Sequence, residues 1–584
     1  MKKSFVKYFA VSASALTLAS ILAPTASHVV SAQSVELATK METEGEAIEG
    51  GTLRYALVGD PFAGVLNNML YSGNPDATII SFFNEGLFGY DDNFLIDDSG
   101  FAKLELDREN KTATITIPEG QKWDDGDDLT IDDVIFPYYV VGSPDYAGVR
   151  YGEDFKNVVG MEEYHNGEAE EISGLERVDD YTLKVHYINF PNSMVQAGGG
   201  VSSYIEPSHL LQDIPVAELE GHELVRTKPV GFGPFRVTNV IPGEAVTYEA
   251  NEYYWRGRPK IDGVQLEVVS TATAIAEMQA GNYDIAGLPA DQYDSFKDAA
   301  NFTVLGKVQN AYTYIGFKQG KLEDGTNVTD ETLVTSNKAL RQAMAYAIDN
   351  DSIGSRFYQG LRWRANSPIT PNFEAYHDET IEGYPYDPEK AKQVLADAGF
   401  VDNDGDGFVE DPNGEAFTLG FASMSGSDVA QAIAEYYMQA WAEIGVKVEL
   451  VGGQLMEFNA FYDAVEGDDE QIDIYQGAWG TGGDPNPTGL WGRDAAFNYT
   501  RWTSEENDRL LEAINSDEAF DEEFRTNIFN EWQAYFMEEV PAIPTLYRYG
   551  ITAVNNRVKN YSLMNADNLS WADVELTADA PIKE

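Results

Sequence analysis

The chain has no cysteine in its 584 residues. Disulfides, thiolate metal ligands, a nucleophilic thiol and a lipidated cysteine are therefore excluded. Histidine is scarce as well: the six, at positions 28, 165, 186, 209, 222 and 377, stand at no metal-ligand spacing. Positive charge is in short supply, with 39 Lys and Arg against 97 Asp and Glu, a net charge of −58. Such a field repels nucleic-acid phosphates and anionic lipid headgroups, so no nucleic-acid partner is expected. The acids are spread along the chain, which reads as a solvated surface and not as an acidic tail. After the first residues no run approaches eighteen apolar side chains, so no spanning helix is expected. Also missing are the phosphate-cradling GxxxxGK[ST], the GxSxG elbow and HExxH.

What is present begins with core material: 43% of residues are hydrophobic and 12% aromatic. At this length two or three globular units are expected. Lys2, Lys3 and Lys7 precede an apolar stretch from Tyr8 to Ala23, and Val30, Ser31 and Ala32 offer small residues for cleavage. Residues 1–32 thus read as a signal peptide with Gln33 as the mature N-terminus, which exports the protein. Residues 33–50, rich in Glu, Thr and Ala, read as a flexible lead-in.

Period-two alternation marks strands at 112–117 and 181–187. Helices are equally legible. Asp387 is a natural N-cap, Pro388 suits the first helical position, and Gly399 stops the run. A second helix opens near Ser427, ends at Gly445 and runs straight into the alternating Val446, Val448 and Leu450; a third spans Lys338 to Ile348. Strands and helices alternate with no fixed repeat, which favours α/β lobes.

Two segments carry candidate chemistry. In DNDGDGFVEDPNG, from Asp402 to Gly414, Asp402, Asp404 and Asp406 hold the first, third and fifth places of a calcium loop. The Phe408 carbonyl and Glu410 complete the candidate ligand set. Asn413 stands where a bidentate Glu is usual, and a strand pattern follows at Phe417–Phe421, so the alternative is an Asx-rich turn. The other segment is GAWGTGGDPNPTGLW, from Gly477 to Trp491. Its glycines and prolines forbid a stable helix, which predicts a shaped loop around Asp484.

ATITIPEGQKWDDGDDLTIDDVIF, from Ala113 to Phe136, resembles a strand–turn–helix signature of the family 5 extracellular solute-binding proteins, the peptide and nickel class served by ABC transporters. Lys228–Val269, Ala339–Ile353 and Tyr386–Phe400 are similar to further blocks of that family, in the same order. The resemblance implies an α/β fold of periplasmic-binding-protein type II, with two lobes, a hinge and an extra subdomain inserted in lobe 1. Mapped on this chain, lobe 1 is 51–83, 226–312 and 533–584, the inserted subdomain is 84–225, and lobe 2 is 313–532. It also implies a monomeric receptor that performs no covalent chemistry, needs no cofactor, and delivers oligopeptides to an ABC permease at the outer face of the membrane or in the cell wall.

A carboxylate in the family's ligand loop pairs with the peptide's free amino terminus, and the acid available here is Asp484. The usual place, three residues after the aromatic, holds Gly482, so the loop register differs. Trp479, Gly480, Thr481 and Tyr475 are the implied neighbours, and Phe232 stands where relatives carry Thr, either narrowing the cleft or filling the lobe interior. Other solutes (a dipeptide, a signalling peptide, a sugar or a nickel complex), a secreted hydrolase, and an acidic adhesin remain the alternatives.

Overall fold

The computed structural model describes residues 35–583, apart from 60 and 324. The expected signal peptide and cleavage site lie outside the described residues. An eleven-stranded mixed sheet runs through the molecule. From one edge its strands are Val448–Leu450, Leu419–Ala422, Ile474–Gly480, Phe302–Phe317, Ala542–Asn555, Ile285–Gly287, Thr52–Val58, Gly263–Val269, Ala245–Ala250 and Phe235–Ile241. Arg362–Arg364 adds to Ala542–Asn555 as a side branch. Among the described residues no helix is long and apolar enough to cross a membrane.

Two strands are far longer than the rest. Phe302–Phe317 has 16 residues and Ala542–Asn555 has 14. At about 3.3 Å per residue the longer reaches roughly 50 Å, enough to serve both lobes. They pair antiparallel from Phe302↔Asn555 to Val308↔Tyr549, lose register, and resume at Tyr312↔Tyr547. Residues 309–311 thus oppose Arg548 alone, a bulge that breaks the ladder between the lobes. On one side Ala542–Asn555 accepts Ile285–Gly287 of lobe 1; on the other Phe302–Phe317 accepts Ile474–Gly480 of lobe 2.

Each lobe has its own core. Lobe 2 packs helices Lys338–Tyr346, Pro388–Asp397, Ala430–Glu443 and Glu522–Glu539 around buried Trp441, Trp532 and Phe536. The helix after Asp387 forms as the sequence predicts, with the Asp387 carboxylate accepting from Lys390 N at 2.9 Å. Lobe 1 packs Leu53, Val264, Leu266 and Ile285 beneath helix Asn74–Phe83. A third core belongs to the inserted subdomain, where the antiparallel sheet Lys103–Asp107, Thr112–Thr116, Thr182–His186 and Leu175–Asp179 lies with helix Asp132–Val141 over Trp123, Ile115 and Leu183.

Two expected boundaries need correction. The resemblance puts the return to lobe 1 at 533, but that residue lies inside helix Glu522–Glu539, whose Phe529, Trp532, Phe536 and Met537 are all buried in the lobe 2 core. The chain re-enters lobe 1 along Ala542–Asn555. Residues 35–50 are not a free lead-in either. Ala38 bridges Leu305, Lys40 bridges Ser562, and Ile48 N donates to Leu576 O at 2.8 Å. Backbone pairing with lobe 1 satisfies this segment's polar groups, which its polar composition does not disclose.

Candidate functional site

The glycine-rich segment is less of a loop than its composition predicts. Gly477–Gly480 completes the strand Ile474–Gly480, in register with Ala311–Tyr314, and Thr488–Trp491 forms one helical turn. Glycine at 477 has a packing reason: a Cβ there would stand 3.0 Å from the Tyr314 ring. The true turn is 481–487, and the hinge residue Asn310 holds it. Thr481 N donates to Asn310 O at 2.8 Å, and Asn310 Nδ2 donates to Gly482 O at 2.5 Å. Gly482 takes φ +65°, the left-handed region that only glycine enters freely.

That turn delivers Asp484 to the seam between lobe 2 and the inserted subdomain. Its Oδ1 accepts from Asn486 N at 2.9 Å, an Asx turn before Pro487. Burial pushes its carboxyl above the ordinary carboxylate range, while the Asn486 N–H and the Arg525 guanidinium pull it back. A half-buried acid of this kind rewards a cation placed against it. The subdomain closes over the turn: Gln196, itself fully buried, donates from Nε2 to Gly483 O at 2.7 Å and to Asn93 O at 2.9 Å. Arg525 donates to Asn192 Oδ1 at 2.6 Å, Arg108 meets Asp517 at 3.0 Å, and the rings of Phe94 and Phe373 stand 5.8 Å apart. The lobes are therefore in contact around the turn, a closed arrangement.

Trp479 lies half-buried beside this turn, stacked on Tyr314 at 6.0 Å and 11°, with Phe497 and Tyr499 on its other sides. Phe497 is 53% exposed. An apolar cavity of about 160 Å³ opens next to Thr481 and Gly480, walled by Pro368, Phe373, Pro485 and Phe497.

Two predicted site residues are not in this group. Phe232 is 2% exposed and packs on Phe101 at 4.9 Å and Trp123 at 5.8 Å, so it fills the subdomain interior and does not narrow a cleft. Tyr475 is 1% exposed; it alternates with Gln476 along the strand and points into the lobe 2 core, edge-on to Tyr314 at 5.7 Å. Sequence reasoning missed Asn192, Gln196 and Arg525, which come from distant segments and carry no local motif. It also missed Phe94, a bulky residue at φ +62° in the seam, where a left-handed backbone is costly.

At the acidic loop, one carboxylate oxygen from each of Asp402, Asp404 and Asp406 lies within 4.8 Å of the others. The same groups cap backbone: Asp402 accepts from Gly405 N at 2.6 Å and Gly407 N at 3.0 Å, and Asp406 accepts from Phe408 N at 2.8 Å. Glu410 points inward and accepts from Asn403 N at 2.7 Å. Folding also gathers Asp125, Asp127 and His209, a set that linear histidine spacing does not reveal.

The sheet order, the two crossing strands and a polar turn enclosed between lobes define a two-lobed solute receptor. Residues 100–500 match the family described as bacterial extracellular solute-binding proteins, family 5 Middle. The chain belongs to that family, whose members are binding receptors and not enzymes. It is 32% identical over 504 residues to the oligopeptide-binding protein OppA of Lactococcus lactis subsp. cremoris, covering 85% of this chain and 84% of that protein. It is 28% identical over 483 residues to the oligopeptide-binding protein AppA of Bacillus subtilis, with 81% and 82% covered. The solved structure of lactococcal OppA, complexed with an endogenous peptide in the closed conformation, superposes with a TM-score of 0.80 at 30% identity, over 90% of this chain and all of that one.

Proposed function

We propose that this protein captures oligopeptides in the inter-lobe cleft and hands them to the membrane subunits of an ABC importer. The observation that carries the reading is Asp484, a half-buried carboxylate that accepts from Asn486 N, on a turn whose Gly482 carbonyl is held by Asn310 in the closed seam. A peptide's ammonium terminus is the cation such a group favours. Trp479 and Phe497 supply an apolar wall for the first side chains, and the main chain of an extended peptide finds donors and acceptors along the strand end at Gly480 and Thr481. Closure converts ligand binding into one composite surface of both lobes, which the permease recognises. The same chemistry serves a dipeptide or a signalling peptide, while the absence of cysteine and the scattered histidines disfavour a nickel complex.

The receptor acts as an exported monomer at the outer face of the cell membrane or in the cell wall, and carries no lipobox cysteine. Its acidic loop takes a structural calcium ion, with Asp402, Asp404, Asp406 and the Phe408 carbonyl as the ligand set, while Glu410, turned inward onto Asn403 N, stays outside it. A chelator that leaves the melting temperature unmoved in low-calcium buffer removes that ion from the account. The function itself is tested by native mass spectrometry of protein purified from peptide-rich medium: a mixture of intact peptides is expected to be carried along, and peptides of unchanged mass after long incubation. A sugar, a metal chelate or cleaved peptides in their place would overturn it.

A further inference from the structure

The N-terminal arm, residues 35–43, lies between two extended segments beside the hinge. The strand Phe302–Phe317 pairs along one edge with Ala542–Asn555, but along the other it meets Ile474–Gly480 only from Ala311 onward. Its lobe 1 half therefore presents an open edge, which the arm covers. Ala38 bridges Leu305 in parallel, and Gly306 N donates to Ala38 O at 2.9 Å. Glycine at 306 permits the approach, since Leu37 Cδ1 fills the place a Cβ would take. On its far side the arm holds the C-terminal segment 558–567. Leu563 N donates to Thr39 O at 2.8 Å, Met41 N to Tyr561 O at 2.9 Å and Thr43 Oγ1 to Val558 O at 2.5 Å, and Lys40 meets Asp567 at 3.2 Å. The arm is thus the middle element that joins this segment to the hinge strand.

The segment it holds reaches toward the ligand turn. Asn565 N donates to Asp92 Oδ1 at 2.8 Å and Ala566 N to Asp92 Oδ2 at 3.3 Å, with Lys307 Nζ 3.8 Å from the same carboxylate. Two residues on, Phe94 sits at φ +62°, its ring 5.8 Å from Phe373 of lobe 2. Gly483, next to Asp484, makes room for it: a Cβ there would stand 3.2 Å from Phe94 Cδ1. A bulky residue keeps a left-handed backbone only while its surroundings impose it. Here those surroundings are Asp92, gripped by residues 565 and 566, on one side and the closed lobe 2 on the other.

The arm itself is lightly held. Its residues alternate between exposed and half-buried, and none is fully buried. An open cavity of about 620 Å³ flanks it along Leu37 to Glu44. Segments with few buried contacts open locally at a small fraction of the global unfolding free energy.

We propose that residues 35–43 form a strap that favours the closed receptor. Docked, the strap fixes residues 561–567 to the hinge strand, and with them loop 91–94 against the Asp484 turn. Drawn off, it leaves that loop unsupported, Phe94 relaxes, and the lobes part. A pull on the N-terminal side of the strap then releases ligand without touching the cleft.

Two readouts test the strap, of which only ligand release rests on the peptide reading. The variant L37D/A38P sets a carboxylate against the apolar contact at Gly306 and puts proline in a bridged position, which displaces the strap. Peptide dissociation followed by stopped flow is expected to be about fivefold faster or more. Because the chain has no cysteine of its own, E105C/E470C can be spin-labelled to read the distance between the inserted subdomain and lobe 2, with and without peptide. In L37D/A38P the distribution is expected to move toward longer distances. K40E should act in the same direction more weakly and D567K should reverse it, a rescue that a general loss of stability does not give. D92A should match L37D/A38P and add little to it, because both cut one connection. Unchanged release and distances in L37D/A38P, or effects of D92A and L37D/A38P that simply add, would overturn the strap. If no peptide binds the natural protein, the peptide reading fails, while the distances measured without peptide still decide the strap.

Discussion

Arg525, in the last long helix of lobe 2, donates to Asn192 Oδ1 of the inserted subdomain across 2.6 Å. The two residues are 333 apart in sequence and meet only because the lobes are closed. Asn192 in turn donates to Ala519 O of lobe 2, and the Phe190 and Phe520 rings stack nearby at 6.2 Å. The contact therefore acts as a latch beside Asp484. Hydrogen bonds to charged groups contribute about 1.5–3 kcal/mol. Asn192→Ala is expected to speed peptide release by roughly tenfold or more, measured by stopped-flow dissociation, with little change in association. An unchanged release rate would show that the latch does not hold the closed form.

Phe232 and Trp479 should respond oppositely to truncation. Phe232 lies in the subdomain core, so Phe232→Ala is expected to cost about 3–5 kcal/mol of stability in denaturant unfolding while peptide affinity is kept. Trp479 packs against Phe497, which lines the cavity, so Trp479→Ala should weaken peptide binding roughly tenfold or more with a smaller loss of stability.

The pair Asp284–Arg557 is fully buried on both sides and fixes lobe 1. Arg557 also donates to Thr52 O at 3.0 Å and Ala578 O at 2.7 Å, tying the C-terminal segment to the first strand. Removing one partner leaves an uncompensated buried charge. Asp284→Ala is expected to destabilise the protein by about 3–5 kcal/mol in equilibrium unfolding, with early exposure of the C-terminal segment to protease.

Glu206 gives a pH dependence of defined sign. It is 2% exposed, accepts from Asn67 Nδ2 at 2.8 Å and Asn68 N at 3.0 Å, and burial raises its pKa from 4.5 to about 8. Between those values the folded state keeps a proton that the unfolded state has lost, so this group's contribution to stability falls as pH rises through the window. A tenfold difference in proton affinity between the two states is worth about 1.4 kcal/mol, which makes the decline large enough to measure. Glu206→Gln should flatten it, so that the variant's melting temperature gains on the natural protein's between pH 5 and pH 8.

Local signals are legible in the sequence. Asp387 and Pro388 start a helix because a cap and a fixed φ act on their own neighbours. Thr112–Thr116 and Thr182–His186 alternate because one face is buried, and they pair as neighbours. The hinge is not legible: residues 309–311 look like ordinary strand, and their bulge arises only against Arg548, more than 230 positions away. Asp484 can be picked out by composition and resemblance, but Arg525, Gln196 and Asn192 belong to the site through tertiary contacts alone. Phe232 is singled out only because it stands where relatives carry Thr, and the choice between cleft and interior is made by its contacts with Phe101 and Trp123.

Asp484 is where the account is most exposed to a single measurement. Titration calorimetry should compare a free-amine peptide with its N-acetylated form on the natural protein and on Asp484→Asn. Loss of a charge-assisted contact is expected to weaken the free-amine peptide roughly 10–100-fold, with the acetylated peptide unaffected. Equal losses for both peptides, or no loss for either, would contradict the assignment of the ligand's amino terminus to this carboxylate.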